Sequence, residues 1–289
     1  MQSKSQPSSF GTLYVVATPI GNLADITLRA LDVLKSVNVI ACEDTRVSRV
    51  LCQHYGITTP LTPYHDHNAE VATPALLARI AAGDSIALIS DAGTPLISDP
   101  GYPLVGQVVA AGGQVVPIPG ASSLTAALSA SGLPTDRIYF RGFLPAKAGA
   151  RVEALQALAM VDATLVLFES NRRLPESLQD CAKVLGEMRH AVVARELTKH
   201  FEELRRDTLL GLTAYYSAQE TVRGEIVLLI SPPEKTVQNV QTLHPLLKAL
   251  LAHYPVKQVV GLVCHTLSAS RNDVYNLALS IKDEAKHAP

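Results

Sequence analysis

Short runs of consecutive apolar residues alternate along this chain with longer segments whose apolar positions fall three or four apart. The first run, TLYVVA at 12–17, predicts a strand. The spacing of Leu28, Leu31 and Leu34 predicts a helix over 26–37, with Asp25 or Thr27 as its cap. The rhythm then repeats. It gives a strand at 39–42, a helix at 47–55, a short strand and polar loop over 60–68, and a helix at 70–82. A strand at 85–90, a helix at 103–111 and a strand at 114–118 follow, and the turn Pro119-Gly120-Ala121-Ser122-Ser123 opens an Ala- and Leu-rich helix to Ser131. Strand–helix alternation of this kind argues for a parallel or mixed sheet with helices on its faces.

The stretch GLPTDRIYFRGFLP at 132–145 breaks the rhythm and opens a second α/β unit. Strands are expected at 137–143, 164–168, 191–195, 201–205 and 225–230, and helices at 150–160, 175–185 and 212–217. SPPEKTVQNVQ at 231–241 is polar and proline-bearing, a linker. Beyond it, 243–252, 256–267 and 272–281 carry helical spacing. The expected architecture is α/β: one domain over 12–131, a second over 132–231, and a C-terminal helical domain over 243–289. The start, MQSKSQPSSFG at 1–11, has no apolar signal core and is expected to be a disordered tail.

Composition narrows the picture. Of 289 residues, 47% are hydrophobic and 18% charged, enough apolar material for a large core and against global disorder. The formal net charge is −1, so a nucleic-acid partner requires local basic patches. Cys42, Cys52, Cys181 and Cys264 are scattered, without a C-x-x-C pair or metal-ligand spacing, and read as reduced thiols of a cytosolic protein. No apolar run reaches transmembrane length.

The candidate chemistry centres on ALISDAGTPLISDPG at 87–101, an apolar run that ends in a turn rich in Gly, Pro and Asp. In α/β proteins ligands lie outside the carboxyl ends of the strands. A purely structural strand-to-helix loop, with Asp91 and Asp99 as turn or cap residues, is the alternative. No G-x-G-x-x-G follows the first strand and no G-x-x-x-x-G-K-[ST] occurs, which disfavours classical dinucleotide and P-loop sites. Instead, small-residue loops at 18–22, 91–95 and 119–123 close three strands. They suit an adenosine-bearing ligand that needs close backbone approach.

These residues also carry a resemblance. ATPIGNLADITLRAL, ACEDTR, ALISDAGTPLISDPGYPLV, PGASSLTAALSASGLPTDRIYFRGFLP, FES, RELTKHFEEL and GEIVLLI, running in order from about Leu13 to Ile230, resemble the ribosomal RNA small subunit methyltransferase I family, a branch of the tetrapyrrole-methylase superfamily. The resemblance implies two α/β domains with S-adenosylmethionine in the cleft between them, and a cytoplasmic homodimer without membrane attachment. It also implies 2′-O-methylation of a cytidine ribose in 16S ribosomal RNA of the small subunit. Carried over by motif, the cofactor contacts are Pro19, Gly21, Asp91, Gly93, Thr94, Ser122, Ser123, Phe168, Glu169, Leu197 and Glu225. Two departures are visible: Asn171-Arg172 follows FES where the family has Pro-His, and 268–282 carries only Arg271 and Lys282 where the family is often lysine-rich.

Methyl transfer to a ribose hydroxyl is an in-line displacement that needs alignment and a proton acceptor, and no metal. Candidate acceptors are Glu43, Asp44 and Glu196, each of which also has a basic neighbour to pair with. Cations available to RNA are Arg46, Arg49, Arg141, Lys147, Arg172 and Lys199, with Arg151, Arg173, Arg205 and Arg206 as further surface candidates. Tyr64, Tyr139 and Phe143 are candidates to stack a splayed base, with core packing the expected role of Phe143. His65-Asp66-His67 is expected to be an exposed loop. The C-terminal helices suggest a small helix-turn-helix-like domain or a packing element. The rivals are methylation of a small tetrapyrrole, and a regulator that binds S-adenosylmethionine without chemistry.

Overall fold

The computed structural model describes residues 10–234, 243–267 and 270–287. The expected tail up to residue 9 and the linker from 235 onward lie outside the described residues. The chain divides into two compact units, residues 1–233 and 234–289.

The first unit holds two five-stranded sheets. The first sheet comprises β1 (Thr12–Val16), β2 (Val39–Cys42), β3 (Leu61–Pro63), β4 (Ile86–Ile89) and β5 (Gln114–Ile118), in the order β3-β2-β4-β1-β5. All its pairings are parallel. Its strands β2 and β4 are apolar and buried at every position because both faces are covered. Ile40, Cys42, Ala87 and Ile89 pack with Ala30 and Leu34 of α1 (Leu28–Ser36). Val39, Ala41, Ile86 and Leu88 turn the other way, onto α3 (Ala69–Ala81) and α4 (Tyr102–Ala110). Thr27 caps α1 by accepting the Ala30 amide. Asp44 caps α2 (Thr45–His54), which therefore starts two residues earlier than apolar spacing predicts.

The second sheet comprises β6 (Ile138–Phe143), β7 (Thr164–Ser170), β8 (His190–Arg195), β9 (Glu203–Thr208) and β10 (Glu225–Ile230), in the order β6-β7-β10-β8-β9. It is mixed: β6 runs parallel to β7 and the other pairings are antiparallel. One face packs on α6 (Ala148–Leu158), α7 (Leu174–Leu185) and α8 (Leu209–Ser217) through Leu155, Leu178 and Leu212. The other face is covered by α5 (Ser123–Ser131), the helix that follows the last strand of the first sheet. Ala127 and Leu128 of α5, and Ile20 of the loop after β1, pack on Val166, Val192, Ala194, Val227 and Leu229. The Arg206 guanidinium donates to the carbonyls of Ala130 and Ser131, a cation at the negative end of that helix.

The strand expected at 201–205 lies at Glu203–Thr208. Residues 196–202 are taken by local bonds instead: Lys199 N–H to the Glu196 carbonyl, Glu202 N–H to the Lys199 carbonyl, and Thr198 N–H to the Glu202 carboxylate. Capping by Thr208 starts α8 three residues before the expected 212.

The second unit, taken by itself, is three helices: α9 (His244–Leu251), α10 (Val256–Leu267) and α11 (Arg271–His287). They close on Leu247, Val259, Val260, Val263, Val274, Ala278 and Ile281. No helix among the described residues is long and apolar enough to cross a membrane.

Candidate active site

At the carboxyl end of the first sheet, the three small-residue loops are stitched to one another. Thr18 and Gly93 exchange both backbone hydrogen bonds, at 2.9 and 3.1 Å, and the Thr18 hydroxyl donates to the Ser90 carbonyl at 3.2 Å. The bridge requires φ +81° at residue 93, which glycine adopts without strain. The Thr94 hydroxyl donates to the Ala121 carbonyl at 3.1 Å, tying in the turn before α5. The Asp44 amide donates to Asp91 Oδ1 at 3.0 Å, which ties in the ACEDTR turn.

The second sheet reaches the same place through the loop at 196–199. The Asn22 amide donates to Thr198 Oγ1 at 3.2 Å. Lys199 Nζ lies 2.9 Å from Glu196 Oε1 and 2.8 Å from Glu225 Oε2. A Cβ on Gly21 would come 2.5 Å from Lys199 Cγ, so only glycine lets the two loops approach this closely. Glu196 and Thr198 have φ of +52° and +66°, strain maintained by these bonds.

Two adjoining cavities open among these loops. The first, of about 360 Å³, is lined by Pro19, Gly21, Leu23, Asp91, Lys199 and the α2 residues Val47, Ser48, Val50 and Leu51. The second, of about 410 Å³, is lined by Ser98, Asp99, Ser123, Phe143, Phe168, Glu169, Asn171, Leu197 and the start of β10. Ile20, Ala92 and Glu225 border both.

The carried-over cofactor residues divide between them. Pro19, Gly21 and Asp91 line the first cavity, Ser123, Phe168, Glu169 and Leu197 the second, and Glu225 both. Gly93, Thr94 and Ser122 line neither. The first two hold the loops together, and Ser122 is the N-cap of α5 with no side-chain cap bond. The Glu169 carboxylate is buried and committed to Arg173, at 2.8 Å, and to the Ser177 hydroxyl, at 2.5 Å. Sequence reasoning missed the four α2 residues and Leu23, gave Asp99 only a turn or cap role within the candidate stretch, and noted Asn171 only as a departure from the family. A signal existed for α2: Val47, Val50 and Leu51 fall on one helical stripe.

The carboxylates differ in basicity. Bonds from Arg46 hold Asp44 down at about 2. The hydrogen bond from Lys199 lowers Glu196. Burial raises Glu43, and the charges of Asp91 and Asp99 raise it further. Burial also raises Asp91, and the Asp44 charge adds to it while the Asp44 amide opposes. Burial raises Asp99, partly offset by the Ser90 hydroxyl. Lys199 is the reverse case: burial disfavours its charge, but Glu225 and Glu196 outweigh this and raise its pKa. Glu43, Asp44 and Glu196 line neither cavity.

Among the cations, Arg46, Arg49, Arg141, Lys147 and Arg172 are exposed. Arg151 is not at the surface: it is 2% exposed and pairs with Asp180 at 2.6 Å. Tyr64 is fully buried, its hydroxyl 3.0 Å from that of Thr73, and is a core residue. Phe143, expected in the core, is 51% exposed and meets the Phe168 ring edge-on at 5.6 Å. His65 and His67 lie with ring centroids 6.0 Å apart, and no three His, Cys, Asp or Glu side chains among the described residues gather as a metal-binding group.

A parallel sheet and a mixed sheet enclosing cavities at their strand ends define the tetrapyrrole methylase class. The family model described as Tetrapyrrole (Corrin/Porphyrin) Methylases matches residues 12–213. A cobalt precorrin-4 methyltransferase of cobalamin biosynthesis shares the fold with TM-score 0.58 and 18% identity, over 79% of this chain and 98% of that one. A diphthine synthase shares it with TM-score 0.61 and 16% identity, over 76% and 90%. A ribosomal RNA small subunit methyltransferase I of Mesorhizobium japonicum is 51% identical, covering 94% of this chain and 92% of its own length. One of Escherichia coli O157:H7 is 45% identical over 96% and 98%. The model described as RsmI C-terminal HTH domain matches 243–282. The chain belongs to the ribosomal RNA small subunit methyltransferase I family.

Proposed function

We propose that the protein transfers a methyl group from S-adenosylmethionine to the 2′-hydroxyl of a cytidine ribose in 16S ribosomal RNA. The observation that carries this reading is the pair of cavities sharing Ile20, Ala92 and Glu225, in a chain of this family. A methyl transferase needs donor and acceptor side by side on one line.

The second cavity fits the donor. The Phe168 ring offers a face for an adenine. Ser122 leaves the amides at the start of α5 without a side-chain cap, so a methionine carboxylate has donors there. Bound there, S-adenosylmethionine supplies a methyl on a sulfonium, whose S–C bond electrons remain on sulfur as the ribose oxygen forms the new bond. The ribose hydroxyl must lose its proton. Of the carboxylates at the site, Asp44 and Glu196 are held as weak bases by their partners. Asp91 lines the acceptor side, and its neighbour Glu43 shares the raised basicity. We assign the proton to the Asp91–Glu43 pair, with Asp91 facing the ribose.

On this reading the protein works in the cytoplasm as a homodimer, on 16S RNA within the small subunit. Its free cysteines, three of them buried, fit a reducing compartment. The test offers labelled S-adenosylmethionine with free 16S RNA, unmethylated 30S subunits and a tetrapyrrole precursor in parallel. Label in RNA at an alkali-resistant linkage is expected. Label only in the tetrapyrrole, or in no acceptor while the cofactor still binds, overturns the reading.

A further inference from the structure

The α2 wall of the first cavity holds none of the residues that the family resemblance gives to the cofactor. Its α2 wall presents Val47 and Val50 outward, 45% and 60% exposed, while the same helix turns Ser48 and Cys52 inward, at 3% and 5%. Val47 and Val50, one helical turn apart on the cavity wall, form an apolar surface that a bound ligand would cover. Opposite them stand Pro19, Ile20 and Leu23, and the remaining edge is polar, with Ser90, Asp91, Lys199 and Glu225. Apolar walls with one polar edge match a nucleobase, whose faces are apolar and whose rim carries donors and acceptors.

We propose that this cavity receives the target nucleotide, drawn out of its RNA strand, with Val47 and Val50 against the base and the neighbouring Arg46 and Arg49 on the flanking phosphates. The inference rests on the proposed function and deepens it. A volume of about 360 Å³ lies in the small-ligand range of about 300–1,000 Å³, so it takes a nucleotide and not a helix. A nucleotide that enters a cavity of this size must leave its stack, and single-stranded RNA is recognised through bases splayed out in this way. Arg46 and Arg49 lie three apart on α2, beside the valine stripe and exposed, where a splayed strand would pass. The shared wall of Ile20, Ala92 and Glu225 brings the ribose to the donor cavity. In the lining one cation, Lys199, faces two carboxylates, Asp91 and Glu225, a set that suits an uncharged base and ribose, leaving the flanking phosphates outside with Arg46 and Arg49.

The test uses the Val50→Asp and Arg49→Ala proteins, with Val71→Asp as a control for a still more exposed valine on α3. Methyl transfer to unmethylated 30S subunits, filter binding of those subunits at several salt concentrations, and calorimetric binding of S-adenosylmethionine are measured for each. Val50→Asp is expected to lower kcat/KM for the subunit at least tenfold, with cofactor affinity within twofold of the parent. Arg49→Ala is expected to reduce the salt slope of subunit binding by about 1. Val71→Asp should match the parent. Val50→Asp transferring like the parent, or losing cofactor binding instead, overturns the nucleotide pocket alone. No label in RNA from the parent protein overturns the proposed function, and the pocket with it.

Discussion

Asp91 is the residue at which the loops, the cavity and the chemistry meet. Its carboxylate accepts the Asp44 amide, borders the first cavity and sits beside Glu43. If it takes the ribose proton, Asp91→Asn should lower transfer by about 10²–10⁴-fold with cofactor affinity retained, as a calorimetric and a labelling assay on the same preparation would read. The pH profile adds a sign. A base works deprotonated, so transfer falls as pH drops through its pKa. The like charge that raises Asp91 is that of Asp44, so Asp44→Asn should move the acidic limb to lower pH. A limb that moves upward, or does not move, refutes Asp91 as the base. Lys199 makes a second residue-scale prediction. Glu196 is lowered in the folded state, so its contribution is present above its unfolded value and lost as pH falls through the folded one. Lys199 is raised, so its contribution is present below its unfolded value and lost as pH rises through the folded one. Lys199→Met should therefore lower Tm between these limits and converge with the parent toward both acid and alkali in a thermal melt series.

Among the elements, the helices and strands of the first unit were legible where burial pattern and spacing agree. Val39–Cys42 and Ile86–Ile89 read as strands because they are apolar on both faces, and both faces are indeed covered. Legibility failed where a polar side chain set the boundary. Asp44 and Thr208 start their helices earlier than apolar spacing indicates, and Glu202 turns the segment that was expected to be strand. Gly21, Asp91 and Phe168 of the loops border the cavities, but the α2 wall was overlooked, because the stripe of Val47, Val50 and Leu51 reads in a sequence as an ordinary core-facing stripe. Tyr64 and Phe143 exchange their expected places for the same reason: exposure depends on partners far along the chain. The element most exposed to test is α5. Leu128→Ala removes its contact with the second sheet and should cost about 2–5 kcal/mol, read by denaturant unfolding, with an unchanged m-value.

For the whole molecule, the proposed cofactor site draws residues from both sheets, so on that reading cofactor binding and folding of residues 1–233 are linked. S-adenosylmethionine at about a hundred times its Kd should add about 2.7 kcal/mol to the stability of the folded state, visible as a concentration-dependent rise in Tm. A Tm indifferent to the cofactor refutes a site formed between the sheets. The three C-terminal helices form their own core.

The position of α5 also governs how the protein is made. The helix ends at residue 131, yet the strands it covers, β7, β8 and β10, extend to residue 230. During synthesis, the first sheet can close while α5 still carries an uncovered apolar face, and its proper surface is completed only about a hundred residues later. At a synthesis rate of about 5–20 residues per second, that interval lasts on the order of 5–20 seconds. Throughout it the nascent chain holds a helix with an uncovered apolar face, and β10 is the last of the covering strands to arrive.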